Sequence, residues 1–236
     1  MLGEAAEKVA QWVFGGTCFL CRGAAKKRLL CEACDADLPR LRQALCPRCA
    51  LPSAGAEVCG QCLAHPPHFD AARAALAYRF PADVLLQAFK FRGELTLAGF
   101  FAALLVERLG AAPRADYLVP VPIAAARLRE RGYNQALEIA RQVARATGIR
   151  LAPGLCERAR DTPPQTDLPW SERAKNVRGA FRAPLALDGA AVAVLDDVMT
   201  TGATLGEIAA TLKSAGAAHV SAWVVARTFP PAEDAR

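Results

Sequence analysis

Two adjacent carboxylates followed by a run of hydroxyl residues form the part of this sequence best suited to chemistry. Asp196 and Asp197 come directly after the apolar run Val192–Leu195, which predicts a strand buried on both faces. Residues 200–204, Thr-Thr-Gly-Ala-Thr, then lead into a predicted helix, Leu205–Ala215. Amides at a helix N-terminus bind phosphate, and adjacent carboxylates accept hydrogen bonds from ribose hydroxyls. The stretch therefore predicts a ribose 5-phosphate site. The alternative is a strand with an Asp-Asp turn and a threonine helix cap.

Taken whole, Val192–Thr204 resembles the signature with which type I phosphoribosyltransferases bind phosphoribosyl pyrophosphate (PRPP). The resemblance implies that Asp196 and Asp197 bind the ribose hydroxyls and that the following loop binds the 5-phosphate. The implied PRPP site comprises Asp196, Asp197, Val198, Met199, Thr200, Thr201, Gly202, Ala203 and Thr204. The resemblance also implies a Mg²⁺ ion bound with the pyrophosphate, but it does not identify the second substrate.

A guanidinium-rich segment, Ala124–Gly132, follows the predicted strand Asp116–Val121. Guanidinium groups bind polyanions such as pyrophosphate through paired hydrogen bonds. We predict a loop here in which Arg127 and Arg131 stabilise the charge on departing pyrophosphate. Together with the two aspartates, these arginines are the candidate catalytic residues. The alternative is the solvated edge of a helix.

Metal binding is the second chemistry that the sequence predicts. Four Cys-x-x-Cys pairs stand in a row, at Cys18/Cys21, Cys31/Cys34, Cys46/Cys49 and Cys59/Cys62. Each such turn can direct two sulfurs to one ion, and two turns complete the tetrahedral site of a structural zinc. We predict two zinc ions, with consecutive pairs sharing one ion, in a double zinc-ribbon module over residues 1–68. A cross-braced arrangement and disulfide or redox use are the alternatives.

Composition agrees with a globular protein rather than a disordered or membrane-spanning one. The chain has 236 residues, of which 53% are hydrophobic and 22% charged. No apolar run approaches the roughly 18 residues of a spanning helix, and the N-terminus lacks the basic start of a signal peptide, so we expect a cytoplasmic protein. Two zinc–tetrathiolate sites would lower the formal charge from +6 to about +2, which makes the charge weak evidence for nucleic-acid binding.

Strand and helix patterns alternate over residues 69–236, which predicts right-handed crossovers and a parallel sheet. Besides the elements above, the patterns predict strands at Asp70–Tyr78, Ile149–Cys156 and Val220–Ala226, and helices at Pro81–Phe91, Glu94–Leu109 and Asn134–Ala146. The polar stretch Arg158–Phe181 lacks periodicity and predicts a lid or binding loop. Lys90 ends one of these helices, where a basic residue either complements the helix dipole or binds a ligand.

The chain as a whole resembles the ComF/GntX family. The resemblance is carried by the paired cysteines, Ala88–Gly93, Val119–Pro122, Arg127–Gln135, Arg158–Thr166, Glu172–Phe181 and the PRPP signature. It implies a type I phosphoribosyltransferase fold, a mainly parallel sheet flanked by helices, over residues 69–236. It also implies a link to natural competence, with PRPP, single-stranded DNA and other competence proteins as candidate partners. Three functions stay open: a Mg²⁺-dependent phosphoribosyltransferase of unknown acceptor, a single-stranded-DNA-binding competence factor that binds PRPP as a regulatory ligand without turnover, and a scaffold whose ancestral site is idle.

Overall fold

A parallel sheet forms the centre of the molecule. The structure is a computed structural model that describes residues 16–110, 115–160 and 177–229. Within these residues the strands are β1 (Ala71–Ala77), β2 (Tyr117–Pro120), β3 (Arg150–Leu151), β4 (Glu157–Arg158), β5 (Phe181–Arg182), β6 (Ala191–Met199) and β7 (His219–Arg227). Five of them form one sheet in the order β1-β7-β6-β2-β3, and every neighbouring pair is parallel. The predicted mainly parallel sheet is confirmed.

Helices cover both faces of this sheet. The described helices are α1 (Glu32–Ala36), α2 (Gly60–Ala64), α3 (Ala82–Phe91), α4 (Leu97–Leu109), α5 (Ala125–Arg131), α6 (Gln135–Thr147) and α7 (Ala203–Ser214). Apolar residues of α3, α4 and α6 share one buried cluster with Ala193 and Leu195 of β6. Apolar residues of α7 share the other with Val192 and Val194. Because side chains alternate along a strand, β6 has to be apolar at every position of this run.

Strand β6 is longer than the sequence pattern predicts. Asp196 and Asp197 were expected just beyond the strand, whereas the structure includes both in it. The reason is the partner strand: β7 runs for nine residues, so that Asp196 pairs with Val224 and Met199 pairs with Arg227. The acidic pair is therefore held by the sheet itself rather than by a loop, which restricts its backbone.

Two other local predictions are wrong. The arginine-rich segment after β2 is the helix α5 rather than a loop, and it ends at Gly132, whose φ of 79° lies in the left-handed region that glycine tolerates. The strand predicted at Ile149–Cys156 is limited to Arg150–Leu151, because Pro153 begins a 3₁₀ turn and cannot donate to a ladder. Of the predicted lid, residues 161–176 lie outside the described residues.

The cysteine-rich N-terminal segment covers the edge of the sheet at β1. The amide of Leu41 donates to the carbonyl of Ala75 at 3.0 Å, and the amide of Ala77 donates to the carbonyl of Pro39 at 2.8 Å. An open strand edge is a template for pairing with other chains, so this antiparallel contact protects the sheet. Leu30 and Leu38 also lie in the same buried cluster as α3 and α4.

None of the helices in the described part of the chain is long and apolar enough to cross a membrane.

Removing the N-terminal segment should therefore damage the rest of the chain. We expect residues 69–236 expressed alone to self-associate, because β1 would lose its antiparallel partner and the apolar surface under Leu30, Leu38 and Leu41 would be exposed. Size-exclusion chromatography beside the zinc-loaded full chain measures this. A monodisperse, cooperatively folding fragment would show instead that residues 69–236 fold independently of the N-terminal segment.

Candidate functional site

Seven of the eleven predicted site residues line one cavity of about 430 Å³ at the carboxyl ends of β2 and β6, whereas Met199, Thr201, Gly202 and Ala203 do not line it. Its lining includes both aspartates and both predicted arginines, together with hydroxyl residues of the following loop: Asp196, Asp197, Arg127, Arg131, Thr200 and Thr204. Tyr78, Lys90, Asn134 and Gln135 line it as well. Carboxyl ends of parallel strands are where open α/β sheets bind ligands. The arrangement thus combines acidic, basic and hydroxyl groups in a space large enough for a small phosphorylated molecule.

Lys90 is the residue whose role sequence reasoning left undecided. Its ammonium nitrogen lies 2.9 Å from Oδ1 of Asp197, which is only 7% exposed. Burial is the largest single influence and lowers the pKa of Lys90, but the charge and hydrogen bond of Asp197, together with the charge of Asp196, outweigh it, so the pKa is above the ordinary value and the ion pair is charged. The signal available in the sequence was a basic residue at a helix end, which has a common structural explanation.

Asp196 is the unusual acid of the pair. Its partial burial, together with the charge of Asp197, raises the pKa of Asp196 to about 7, although Lys90 acts in the opposite direction. Oδ1 of Asp196 accepts a hydrogen bond from the amide of Asp197 at 2.9 Å. Near neutral pH Asp196 is therefore only partly ionised, and because Lys90 pairs with Asp197, the negative charge that Asp196 carries lacks a counter-ion of its own. A cation or a set of ligand hydroxyls placed there would favour the ionised form.

A tight turn connects β6 to the N-terminus of α7. Gly202 has a φ of 82°, and a Cβ at this position would lie 3.5 Å from both the Met199 sulfur and the Phe69 ring. The Thr201 hydroxyl accepts a hydrogen bond from the amide of Ala203 at 3.1 Å. The 12-residue helix α7 then points its N-terminus, with its partial positive charge, toward the cavity end where Thr204 lies. This loop has the elements of a phosphate cradle.

The two arginines occupy different environments. Arg127 forms a 3.3 Å ion pair with Glu130. Arg131 donates to Gln135 Oε1 at 3.0 Å and lies 5.1 Å from the centre of the Phe91 ring. Its buried Nε has no hydrogen-bond partner among the residues that the structure describes. A buried donor without a partner is uncommon and suits an anionic ligand.

Two sequence motifs hold each other in place beside the cavity. Tyr133 donates its hydroxyl to the carbonyl of Phe89, which fixes the end of α3 from which Lys90 extends. Asn134 donates to the carbonyl of Val121 at 3.0 Å and accepts from the amide of Leu137, so that one side chain joins the end of β2 to the start of α6. Tyr133 and Asn134 are thus positioning residues, a role that their types alone could not predict.

The eight paired cysteines form two separate groups, and each group consists of two Cys-x-x-Cys pairs that follow one another in the sequence. One group is Cys18, Cys21, Cys31 and Cys34, and the other is Cys46, Cys49, Cys59 and Cys62, with the sulfurs of each group within 4.8 Å of one another. The Cys21–Cys31 and Cys49–Cys59 sulfur pairs are 3.7 Å and 3.6 Å apart. Zinc–sulfur bonds of about 2.3 Å in a tetrahedron place sulfurs roughly 3.8 Å apart. Both groups therefore fit zinc, in the sequential arrangement.

Comparison with known proteins assigns the family. Residues 9–63 match the family described as double zinc ribbon domain. DNA utilization protein YhgH of Salmonella typhimurium is 34% identical over 223 residues, which cover 91% of this chain and 98% of the relative. Competence protein F of Haemophilus influenzae is 30% identical over 226 residues with the same coverage. This chain belongs to the ComF family.

Other comparisons cover less of the chain. Competence protein ComFC of Streptococcus pneumoniae is 25% identical over 207 residues, covering 84% of this chain and 87% of the relative. Among solved structures, the allosteric regulatory enzyme of purine biosynthesis aligns with 23% identity and a TM-score of 0.36. That alignment covers 55% of this chain and only 25% of the enzyme chain.

The perturbed acid gives this ComF protein a pH-dependent stability. Asp196 has a pKa of about 7 when folded against an ordinary value of 3.8, so the folded state binds more protons between these pH values, and stability falls as pH rises through this window. We expect Asp196→Asn, whose oxygen can still accept the Asp197 amide, to be more stable than the parent by roughly 2 kcal/mol at pH 8. The difference should fade toward pH 4. Urea denaturation at both pH values measures it; a variant that is less stable at pH 8 would contradict the assignment of a destabilising charge.

Proposed function

We propose that this ComF-family protein binds Mg²⁺·PRPP and transfers its phosphoribosyl group to an acceptor, in a process connected with DNA uptake. The observation that supports this most directly is the placement of Asp196 and Asp197 next to the α7 N-terminus at one cavity. The acidic pair suits the ribose hydroxyls, and the turn suits the 5-phosphate. The connection with DNA uptake is supported by the names of the relatives, which are a DNA utilization protein and a competence protein.

Magnesium fits the donor set of this cavity. Carboxylate oxygens are the protein ligands that Mg²⁺ prefers, and the ion usually retains substrate phosphates in its coordination shell. Asp196 and Asp197 are the residues that would hold it, directly or through the ribose hydroxyls. When bound, Mg²⁺ would neutralise charge on the pyrophosphate. It would also remove the cost of keeping Asp196 ionised.

The protein groups around the cavity account for the transfer step through position and charge. The bond between the anomeric carbon and the pyrophosphate oxygen breaks as the acceptor's lone pair forms the new bond, and the departing pyrophosphate takes the electron pair. Arg131, whose Nε has no partner within the described residues, and Arg127 both line the cavity and would bind that anion. Lys90 is held by Asp197 and becomes available to the ligand when ribose hydroxyls take over the carboxylate. Catalysis would rest on alignment and anion stabilisation.

Removing the charge of Asp197 should abolish the ribose contact. We expect Asp197→Asn to weaken Mg²⁺·PRPP binding by tenfold or more, because a buried charge-assisted contact is lost and Lys90 is left without its counter-ion. Isothermal titration calorimetry of the zinc-loaded protein measures the affinity. Glu107→Gln, which removes one exposed carboxylate from α4, is the matched control and should bind like the parent.

Turnover needs a separate measurement. Release of pyrophosphate from Mg²⁺·PRPP should be assayed with nucleobases, amines and single-stranded DNA as candidate acceptors. Release that depends on one acceptor supports the transferase. Tight binding without release for any of them would favour a regulatory role for PRPP, and undiminished binding by Asp197→Asn would remove the proposed site altogether.

The second candidate function is binding of single-stranded DNA with PRPP as a regulatory ligand. The specific observation is an exposed aromatic residue beside the cavity: Phe91 is 64% exposed, and the Arg131 guanidinium lies over its ring. Proteins that bind single strands combine aromatic stacking surfaces with cationic groups. The names of the relatives support the same reading.

Loss of the exposed ring tests this second function. We expect Phe91→Ser to weaken binding of a labelled single-stranded oligonucleotide about tenfold, since stacking on one base contributes roughly 1–3 kcal/mol. Fluorescence anisotropy at low salt is the measurement, and affinity should fall as salt rises. Leu185→Ser, which removes an apolar side chain that is 60% exposed, is the matched control. No binding by the zinc-loaded parent at low salt would count against a DNA-binding role.

A further inference from the structure

One buried arginine joins the second cysteine group to the proposed phosphate loop. Arg227, the last residue of β7, is 4% exposed. Its Nε donates to the carbonyl of Cys49 at 3.0 Å. Its Nη1 donates to the carbonyl of Met199 at 3.0 Å and also to the carbonyl of Thr200. A single rigid guanidinium thus contacts a zinc-ligand residue on one side and the β6–α7 turn on the other.

The second cysteine group is the source of negative charge closest to the Arg227 guanidinium within the described residues. Within the described part of the chain, no carboxylate lies in ion-pair distance of this guanidinium, although a buried cation is costly unless opposite charge lies near it. Burial lowers the pKa of Arg227, while the sulfurs of Cys49, Cys62 and Cys59 raise it. Four thiolates around one Zn²⁺ carry a net charge of −2. Zinc binding by this group therefore places negative charge beside Arg227.

The same cysteine group is fixed to the sheet from two further directions. The carbonyl of Pro47, between Cys46 and Cys49, accepts a hydrogen bond from the amide of Ala72 in β1 at 2.9 Å. Phe229, two residues after Arg227, packs against the cysteine group and also against the apolar cluster that contains α7. A Cys-x-x-Cys turn closed by zinc is consequently a rigid support for Arg227.

The contacts of Arg227 also determine which way the loop amides point. A trans peptide is planar, so its carbonyl and the following N–H point in opposite directions. The carbonyl of Thr200 is held by Arg227, and that of Met199 by Arg227 and by the amide of Thr228 at 3.0 Å, so the amides of Thr200 and Thr201 point away from the guanidinium. Thr200 lines the cavity. The guanidinium thereby orients the backbone donors of the loop without touching a ligand.

We propose that Arg227 is a positioning residue through which zinc at Cys46, Cys49, Cys59 and Cys62 controls the phosphate affinity of the 200–204 loop. The proposal rests on the proposed function in one respect, that this loop binds a phosphate group. The first cysteine group is not expected to act in this way, because its buried member Cys18 packs into the apolar cluster on the other face of the sheet, with α3 and α4. The two structural zinc ions thus have different roles.

The experiment compares matched variants of the full-length, zinc-loaded chain. Cys59→Ser removes one zinc ligand from the second cysteine group, and Cys21→Ser removes one from the first. Arg227→Met removes the guanidinium that joins the second group to the 200–204 loop, and Arg227→Lys replaces it with an ammonium group. Zinc content, hydrogen–deuterium exchange of the amides of residues 199–205, and Mg²⁺·PRPP affinity are measured for each. We expect Cys59→Ser and Arg227→Met to accelerate exchange at 199–205 and to weaken PRPP binding tenfold or more. Cys21→Ser should lose one zinc with exchange at 199–205 unchanged, and Arg227→Lys should fall between parent and Arg227→Met.

A second measurement uses the unaltered protein, so the test does not depend on variants that fold poorly. Because coupling between two binding equilibria is reciprocal, saturating Mg²⁺·PRPP should raise the zinc affinity of one of the two sites, measured as the equilibrium partition of zinc between the protein and a chromogenic chelator. Loss of the second zinc with unchanged exchange at 199–205 would overturn the proposal, as would zinc affinities unchanged by PRPP in a protein that binds it. A parent that fails to bind PRPP but shows faster exchange in Cys59→Ser would refute the proposed function while leaving the zinc–loop coupling in place.

Discussion

The register between β6 and β7 is the constraint on which the candidate site depends. These two strands pair over their full length at the centre of the sheet, with Asp196 opposite Val224 and Met199 opposite Arg227. A shift of one residue in this register would move every side chain of β6, including both aspartates, to the opposite face of the sheet. The register is secured because β7 is buried from Val220 to Arg227 and β6 is buried from Val192 to Leu195. Sheet packing therefore supplies the precision that the site needs.

Charge at the carboxyl ends of these strands is the second constraint. Two carboxylates and one ammonium group share a mostly buried position, and the pKa of Asp196 is raised as a result. Such an arrangement reduces the stability of the folded protein near neutral pH. Polar and charged groups that destabilise a fold are typical of sites that bind an oppositely charged or hydrogen-bonding ligand. Here the cost is concentrated at the residues that the sequence signature also identified.

Local chemistry was predictable from the sequence, whereas contacts between distant segments were not. The apolar strand, the Thr-Thr-Gly-Ala-Thr turn and the paired cysteines follow from residue types and spacing, and the structure places them as expected. The helix α5 was missed because its three arginines suggested an exposed loop, and the extent of β6 was missed because strand length depends on the partner strand. The pairing of Lys90 with Asp197 joins residues far apart in sequence, so no local pattern could reveal it.

The cysteine-rich segment is best understood as part of the structural frame of the sheet. Its residues 39–41 pair with the edge strand β1, and its Cys49 carbonyl receives the buried guanidinium of β7. A segment this short cannot bury enough apolar surface to fix its own shape, so metal binding has to contribute the rigidity. A rigid cysteine group would also restrict the β6–α7 turn, because one planar guanidinium, that of Arg227, donates to the carbonyl of Cys49 and to the carbonyls of Met199 and Thr200. The cysteine-rich segment then has two structural roles in this fold. It covers the exposed edge of β1, and through Cys49 and Arg227 it supports the turn between β6 and α7.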